Sequence, residues 1–184
     1  GLTQLGDLFQ HPKTFASNQA ETFIEIIARG GEWILKPAAG SLGQGIFLVN
    51  QNTHGYPNLI RYLLGQNADQ YLILQAHIPD INRGEKRVLM AAGHFIGAYL
   101  RRQDLDHRTN LMQGGKAEAT TLSKPEQALV QKLGAYCSKL GAEFIGIDLV
   151  YPYVIEINVI NPGGLGTLMS LGEANQAGAV IKAI

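Results

Sequence analysis

The chain has 184 residues, 46% of them hydrophobic, and 15 Lys plus Arg balance 15 Asp plus Glu to a formal charge of zero. That balance leaves no basic footprint for nucleic acid or an anionic membrane surface, and no apolar run approaches the roughly 20 residues of a spanning helix. The one cysteine, Cys137, allows no internal disulfide and suits a reducing, cytoplasmic setting. A small-molecule or peptide substrate is the expected partner, with self-association into a homo-oligomer left open. One domain, or two small lobes sharing a cleft, fits the length, and Gly1 reads as an internal residue of a longer chain.

In chain order, residues 17–29 predict a helix: Asn18 with Glu21 is a capping pattern, Phe23, Ile24 and Ile27 share a face, and Gly30-Gly31 stops it. A strand, Glu32 to Lys36, leads into a glycine-rich loop from Ala38 to Gly45 and a second strand, Ile46 to Val49. Asn58 to Leu64 reads as a short helix, Tyr71 to Gln75 as a buried strand, and Pro79 to Gly84 as a turn. Lys86 to Met90 and Phe95 to Arg101 form a hairpin around Ala91-Ala92-Gly93-His94. Residues 103–117 lack periodicity and read as one long loop, of the kind that serves as a lid. Ser123 and Glu126 form a capping box with Pro125 in the first turn, opening a helix to about Leu140 that Gly141 ends. Strands Phe144 to Val150 and Val154 to Ile160 flank Tyr151-Pro152-Tyr153, and a last helix follows Thr167. Hairpins outnumber crossovers, which predicts an α+β fold.

Three groups of residues carry candidate chemistry. If Val150 pairs with Val154 across the hairpin, Asp148 lies opposite Glu156, and Asn158 shares the face. Three oxygen donors so placed suit Mg²⁺; ion pairing to Lys or Arg on a solvated sheet face is the alternative. Lys36 at a strand end, followed by Gly40, Ser41, Gly43 and Gly45, can neutralise and cradle phosphates. No Walker lysine closes the loop, and a strand rather than a helix follows it, so neither common nucleotide fingerprint applies. Arg87, Arg101, Arg102, Arg108 and Lys116 crowd into 30 residues and could bind phosphate or carboxylate; Arg101 and Arg102 point to opposite faces, so only one can serve. Cys137 sits near an apolar helix face and reads as packing.

The order Ile34-Leu35-Lys36-Pro37, glycine loop, Leu74-Gln75-Ala76-His77-Ile78, Gly84-Glu85-Lys86-Arg87-Val88, Arg108-Thr109-Asn110-Leu111, Gly146-Ile147-Asp148 and Glu156-Ile157-Asn158-Val159 resembles the bacterial glutathione synthetases of the ATP-grasp superfamily. The resemblance spans about Thr14 to Gly164. It implies two α+β lobes holding ATP between antiparallel sheets, residues 1–74 as the small lobe with its glycine-rich loop and 75–184 as the C-terminal lobe with metal and substrate sites. It implies a carboxylate–amine ligase working through an acyl phosphate, with ATP and Mg²⁺ (or Mn²⁺) as cofactors. Lys36 would meet the α- and β-phosphates, and Gly40 to Gly45 would cover them. Gln75, His77 and Ile78 belong to the hinge that reads adenine, Glu85 binds ribose, and Asn110 lies at the nucleotide. Arg87, Arg102 and Arg108 are the catalytic arginines, and Asp148, Glu156 and Asn158 the metal ligands. The family's preceding substrate domain is absent from the sequence. A ligase for another amino acid or peptide, as in the ribosomal-protein glutamate ligases, and a non-catalytic ATP-binding module are the alternatives.

Overall fold

The structure, a computed structural model, describes residues 8–38, 45–65, 70–102 and 115–184. The chain divides into two units, one of residues 12–79 and one in which the segment up to His11 joins residues 80–184. The expected boundary between residues 74 and 75 falls inside a strand, so the observed division comes a few residues later, at the turn after it.

In the first unit, strands β1 (Thr14–Ser17), β2 (Trp33–Pro37), β3 (Phe47–Val49) and β4 (Leu72–Ala76) form an antiparallel sheet of order β1-β4-β2-β3. Helices α1 (Ala20–Ala28) and α2 (Tyr56–Gly65) supply Phe23, Ile27 and Ile60, which pack with Trp33, Leu35, Val49, Leu72 and Leu74. Side chains alternate along a strand, so the residues between those apolar ones, Ile34 and Lys36 on β2 and Ile73 and Gln75 on β4, share the opposite face. Helix α1 starts later than its sequence suggests. Gln19 is the N-cap, which leaves Asn18 outside the helix and puts Thr22, not Glu21, at the third position, so the expected capping pair does not form.

In the second unit, β5 (Glu85–Ala91), β6 (His94–Arg102), β7 (Lys116–Ala119), β8 (Phe144–Val150) and β9 (Tyr153–Asn158) form an antiparallel sheet of order β7-β6-β5-β8-β9. Strand β7 corrects the reading of residues 103–117 as loop throughout. Its Lys-Ala-Glu-Ala sequence lacks β-branched residues, and its strand character comes from pairing with β6. Helix α3 (Lys124–Lys139) covers one face, burying Val130, Leu133 and Cys137 against Val88, Met90, Ile145, Ile147 and Leu149. Burial among these apolar groups pushes the Cys137 thiol above its ordinary pKa, as packing rather than nucleophilic use requires. The expected last helix is two short ones, α4 (Leu165–Ser170) and α5 (Ala177–Ala183).

The capping box of α3 forms, with a third partner. The Ser123 backbone N–H and hydroxyl both donate to Glu126 Oε2, at 2.7 and 2.8 Å, and Lys86 Nζ donates to both Glu126 oxygens at 2.8 Å. Lys86 thereby ties strand β5 to the start of α3. Burial alone would raise the Glu126 carboxyl; the bonds from Lys86 and Ser123 outweigh it and hold the group below its ordinary pKa of 4.5. A depressed folded pKa means the stabilising contribution is complete above the unfolded value and fades as pH falls through the folded one. Glu126→Gln is therefore expected to cost about 1–3 kcal/mol near pH 7, by leaving the Lys86 ammonium poorly paired. In urea denaturation the gap to wild type should close as pH drops below about 4.5.

Candidate active site

Two β-bulges decide which side chains share the face of the five-stranded sheet opposite α3. The β8–β9 hairpin closes with Val150 opposite Tyr153 and Leu149 opposite Val154. The register then slips by one at Ile155, so that Asp148 faces Glu156, Ile147 faces Ile157 and Gly146 faces Asn158. The expected pairing of Val150 with Val154 is not observed, but the bulge restores the Asp148–Glu156 pairing derived from it. In the β5–β6 hairpin, Met90 faces Phe95; past the bulge at Ile96, Leu89 faces Gly97 and Glu85 faces Arg101. A one-residue slip moves every later side chain to the other face, and this one places Arg101 beside Glu85 and Arg87.

The result is a buried chain of charges. Arg87, opposite Asp148 in register, grips it with both arms of its guanidinium, Nε to Oδ1 at 2.5 Å and Nη2 to Oδ2 at 3.1 Å. Its third arm, Nη1, donates to the Pro162 carbonyl. Arg101 Nη2 lies 2.8 Å from Asp148 Oδ1 and 2.5 Å from Glu85 Oε2. Asp148 and Glu85 are each only 4% exposed. Burial by itself would raise the Asp148 carboxyl, but the charges of Arg101 and Arg87 and their hydrogen bonds hold it below the ordinary carboxylate range. Burial likewise opposes the Arg101 charge, and Asp148 and Glu85 overcome that to hold its pKa above the usual value. Asp148 is thus an ion-paired carboxylate, as the alternative reading had it, yet a buried one rather than a solvated one.

Gly146 makes room for this arrangement. A Cβ there would stand 3.1 Å from Arg87 Nη1 and 3.1 Å from Pro162 Cβ, so the guanidinium lies in the space a side chain would fill.

The predicted metal ligands come together unequally. Asn158 donates from Nδ2 to Asp148 Oδ2 at 3.4 Å, which turns its amide oxygen away from that carboxylate. Glu156 is exposed, directly across from Asp148. Two carboxylates and an amide oxygen suit Mg²⁺ in kind; the lone pairs of Asp148 are engaged by nitrogen donors. Glu85 joins the group through Arg101. Arg102 does not join it: it is exposed on the opposite face, 3.8 Å from Glu118. Of the two adjacent arginines, Arg101 is the one that faces the carboxylates. Its Nε is buried and has no acceptor among the described residues.

In the unit of residues 12–79, Lys36 Nζ donates to Gln75 Oε1 at 3.3 Å, and Gln75 Nε2 donates to Thr14 Oγ1 at 3.3 Å. The backbone N–H groups of Ala76 and His77 donate to the carbonyls of Lys13 and Glu32, at 2.8 and 2.9 Å. His77 Nδ1 lies 3.2 Å from Glu32 Oε2, and its buried Nε2 has no partner among the described residues. Ile78, next in the predicted hinge, is half-buried. Gly45 has φ 71°, and a Cβ on it would meet the Pro37 ring at 3.2 Å, so it shapes the loop's exit. Gly40, Ser41, Gly43, Arg108 and Asn110 lie outside the described residues.

A family model described as the ATP-grasp domain of prokaryotic glutathione synthetase matches residues 3–173. The chain belongs to that family. The glutathione synthetase of Agrobacterium fabrum is 32% identical over 184 residues, covering 100% of this chain and 57% of that protein. That of Coxiella burnetii is 30% identical over 172 residues, covering 92% and 53%. This ATP-grasp chain therefore spans about half the length of the curated relatives it matches. Among solved structures, the D-alanine–D-alanine ligase of Bacillus anthracis complexed with ATP superposes with a TM-score of 0.69 at 16% identity, over 99% of this chain and 62% of that one. The ATP-grasp ligase PsnB complexed with a minimal precursor, Mg and ADP gives 0.67 at 16% identity, over 99% and 54%. The fold is ATP-grasp, α+β with two antiparallel sheets, as the sequence implied.

The two facing carboxylates should respond differently to neutralisation. Asp148→Asn leaves Arg87 and Arg101 as under-compensated buried charges and is expected to lower the unfolding free energy by about 3–5 kcal/mol. Exposed Glu156→Gln should stay within about 0.5 kcal/mol of wild type. Urea denaturation of both variants in metal-free buffer distinguishes them; equal losses would mean that the charge chain around Asp148 does not stabilise the sheet.

Proposed function

We propose that the protein is an ATP-dependent carboxylate–amine ligase of the glutathione synthetase type. In that reaction ATP phosphorylates the C-terminal carboxylate of γ-glutamylcysteine, and the amine of glycine displaces phosphate to give glutathione, ADP and phosphate. The observation that carries the reading is the charged sheet face, Glu85, Arg87, Arg101, Asp148, Glu156 and Asn158, in a chain whose family match covers residues 3–173. That face offers cations for phosphate and oxygens for a metal. Among the described residues that face carries no Ser or Cys, which agrees with chemistry done by positioning and charge neutralisation.

Each residue then has a physical task. Lys36 meets the phosphates, with Gly40, Ser41, Gly43 and Gly45 supplying close backbone approach. At the hinge, Ala76 and His77 have already given their N–H groups to neighbouring carbonyls, so the adenine edge is read by Ile78, with Gln75 and His77 beside it. Glu85 takes the ribose hydroxyls, Asn110 serves the nucleotide, and Arg108 meets phosphate or the peptide substrate. Arg87 orients the transferred phosphoryl group, and Arg101, whose buried Nε has no acceptor among the described residues, offers a second anion-binding group on the same face. Asp148, Glu156 and Asn158 would hold Mg²⁺, which supplies charge neutralisation on the β- and γ-phosphates.

Calorimetry with ATP, with and without Mg²⁺, tests the nucleotide part: Mg²⁺-dependent binding is expected, and Lys36→Met should weaken it about ten- to a hundredfold. Absence of binding under both conditions would sink the reading. A phosphate-release screen of the full-length protein, offering γ-glutamylcysteine plus glycine against other donor and acceptor pairs, tests the substrates. Glu156→Gln should abolish turnover at nearly unchanged stability.

A further inference from the structure

A carboxylate offers about four lone-pair positions, and in Asp148 each one faces an N–H donor. Oδ1 takes Arg87 Nε at 2.5 Å and Arg101 Nη2 at 2.8 Å; Oδ2 takes Arg87 Nη2 at 3.1 Å and Asn158 Nδ2 at 3.4 Å. A divalent cation at this carboxylate needs lone pairs that are now engaged, so a donor has to leave.

The three donors differ in what leaving costs them. Arg87 would lose a bidentate grip, and its third arm is fixed on the Pro162 carbonyl. Asn158 is neutral, so its departure changes no charge. Arg101 uses one nitrogen for two carboxylates and keeps Glu85 Oε2 at 2.5 Å when it gives up Asp148. Glu85, Asp148, Arg87 and Arg101 together carry no net charge, so an incoming dication is favoured when positive charge moves off Asp148.

We infer that Arg101 is a positioning residue for metal loading: its guanidinium holds Asp148 in the metal's stead and passes to Glu85 alone when a divalent cation binds. This rests on the reading of Asp148 as a metal ligand. The arrangement keeps a fully buried carboxylate compensated before the cation arrives, and it makes the cation compete with a resident charge.

The test is thermal unfolding of the full-length protein in saturating ADP, with and without MnCl₂. Bound Mn²⁺ is followed by water-proton relaxation enhancement, which separates protein-held metal from Mn–ADP in solution. Arg101→Met should lower Tm in the absence of metal. MnCl₂ should then raise the variant's Tm at least twice as far as that of wild type, because the cation replaces the missing charge at Asp148, and Mn²⁺ should bind several-fold more tightly. Arg83→Met, an exposed arginine of the same unit, should match wild type in both respects. Equal Mn²⁺-induced shifts in wild type and Arg101→Met, with metal bound to both, would overturn the inference and leave the metal site standing. No Mn²⁺ held by the wild type would overturn both. Should Arg101→Met fail to fold, Arg101→Met/Glu85→Gln, which removes one charge of each sign, is read by the same comparison.

Discussion

Asp148 is a carboxylate on a central strand, with strands on both sides and almost no water, and the second unit is organised around keeping it charged. Taking such a group out of water costs several kcal/mol unless opposite charges and hydrogen bonds replace the solvent. The replacement comes from three directions in the sheet: Arg87 from the neighbouring strand on one side, Asn158 from the strand on the other, and Arg101 from two strands away, with Glu85 balancing the second guanidinium. Only Asn158, ten residues on in the same hairpin, is near Asp148 in sequence; both arginines are far from it. The carboxylate can be buried as an ion only in the completed sheet, which makes the ion pairs a check on correct strand register.

Register is where the two bulges matter. A strand slipped by one residue presents the wrong half of its side chains, and both hairpins of this sheet contain such a slip. Without the bulge at Ile96, the pairing of Met90 with Phe95 would run on to put Arg102, not Arg101, on the face of Glu85 and Arg87. Without the bulge at Ile155, the tight closure of Val150 on Tyr153 would carry Glu156 off the Asp148 face. Bulges concentrate next to functional sites because they re-aim side chains without altering the rest of a strand. Here they let two short turns coexist with a face of converging charges.

The same bulges mark the limit of what could be read in advance. Hydrophobic runs and capping residues located nearly every element, since Phe144 to Val150 and the Ser123–Glu126 box are local signals. The residues alone left open which of Arg101 and Arg102 faces the carboxylates, because parity along a strand is counted from its turn, and no residue type announces that Ile96 is unpaired. Asp148 opposite Glu156 was right through two departures that cancel: the turn is shorter than supposed, and the bulge adds the residue back. Strand β7 carries no β signal of its own and exists because β6 offers it an edge. The ion pairs of Asp148 were foreseen as one alternative, but their burial depends on Gly146, two residues away on the same strand, leaving space for the Arg87 guanidinium.

The run Gly84-Glu85-Lys86-Arg87-Val88, part of the sequence resemblance, is a piece of mechanical design once its faces are separated. Gly84 adopts φ 113°, and a Cβ there would come within 2.8 Å of Leu100 Cδ1, so only glycine admits the chain to the strand. The next residues then alternate. Glu85 and Arg87 point to the charged face and meet Arg101 and Asp148. Lys86 and Val88 point to the other, Lys86 to the Glu126 that caps α3 and Val88 to the core. Every charged side chain of the run has a partner of opposite sign, and the partners lie on three different elements. Strand β5 is thereby fixed from both faces at once, by an ion pair behind it at the start of the helix and by ion pairs in front. A strand held only by its ladder could shear along its neighbours by a residue at modest cost. One pinned on both faces resists this, because a slip breaks the ion pairs and sets Glu85 against Glu126 in one direction or Lys86 against Arg101 in the other.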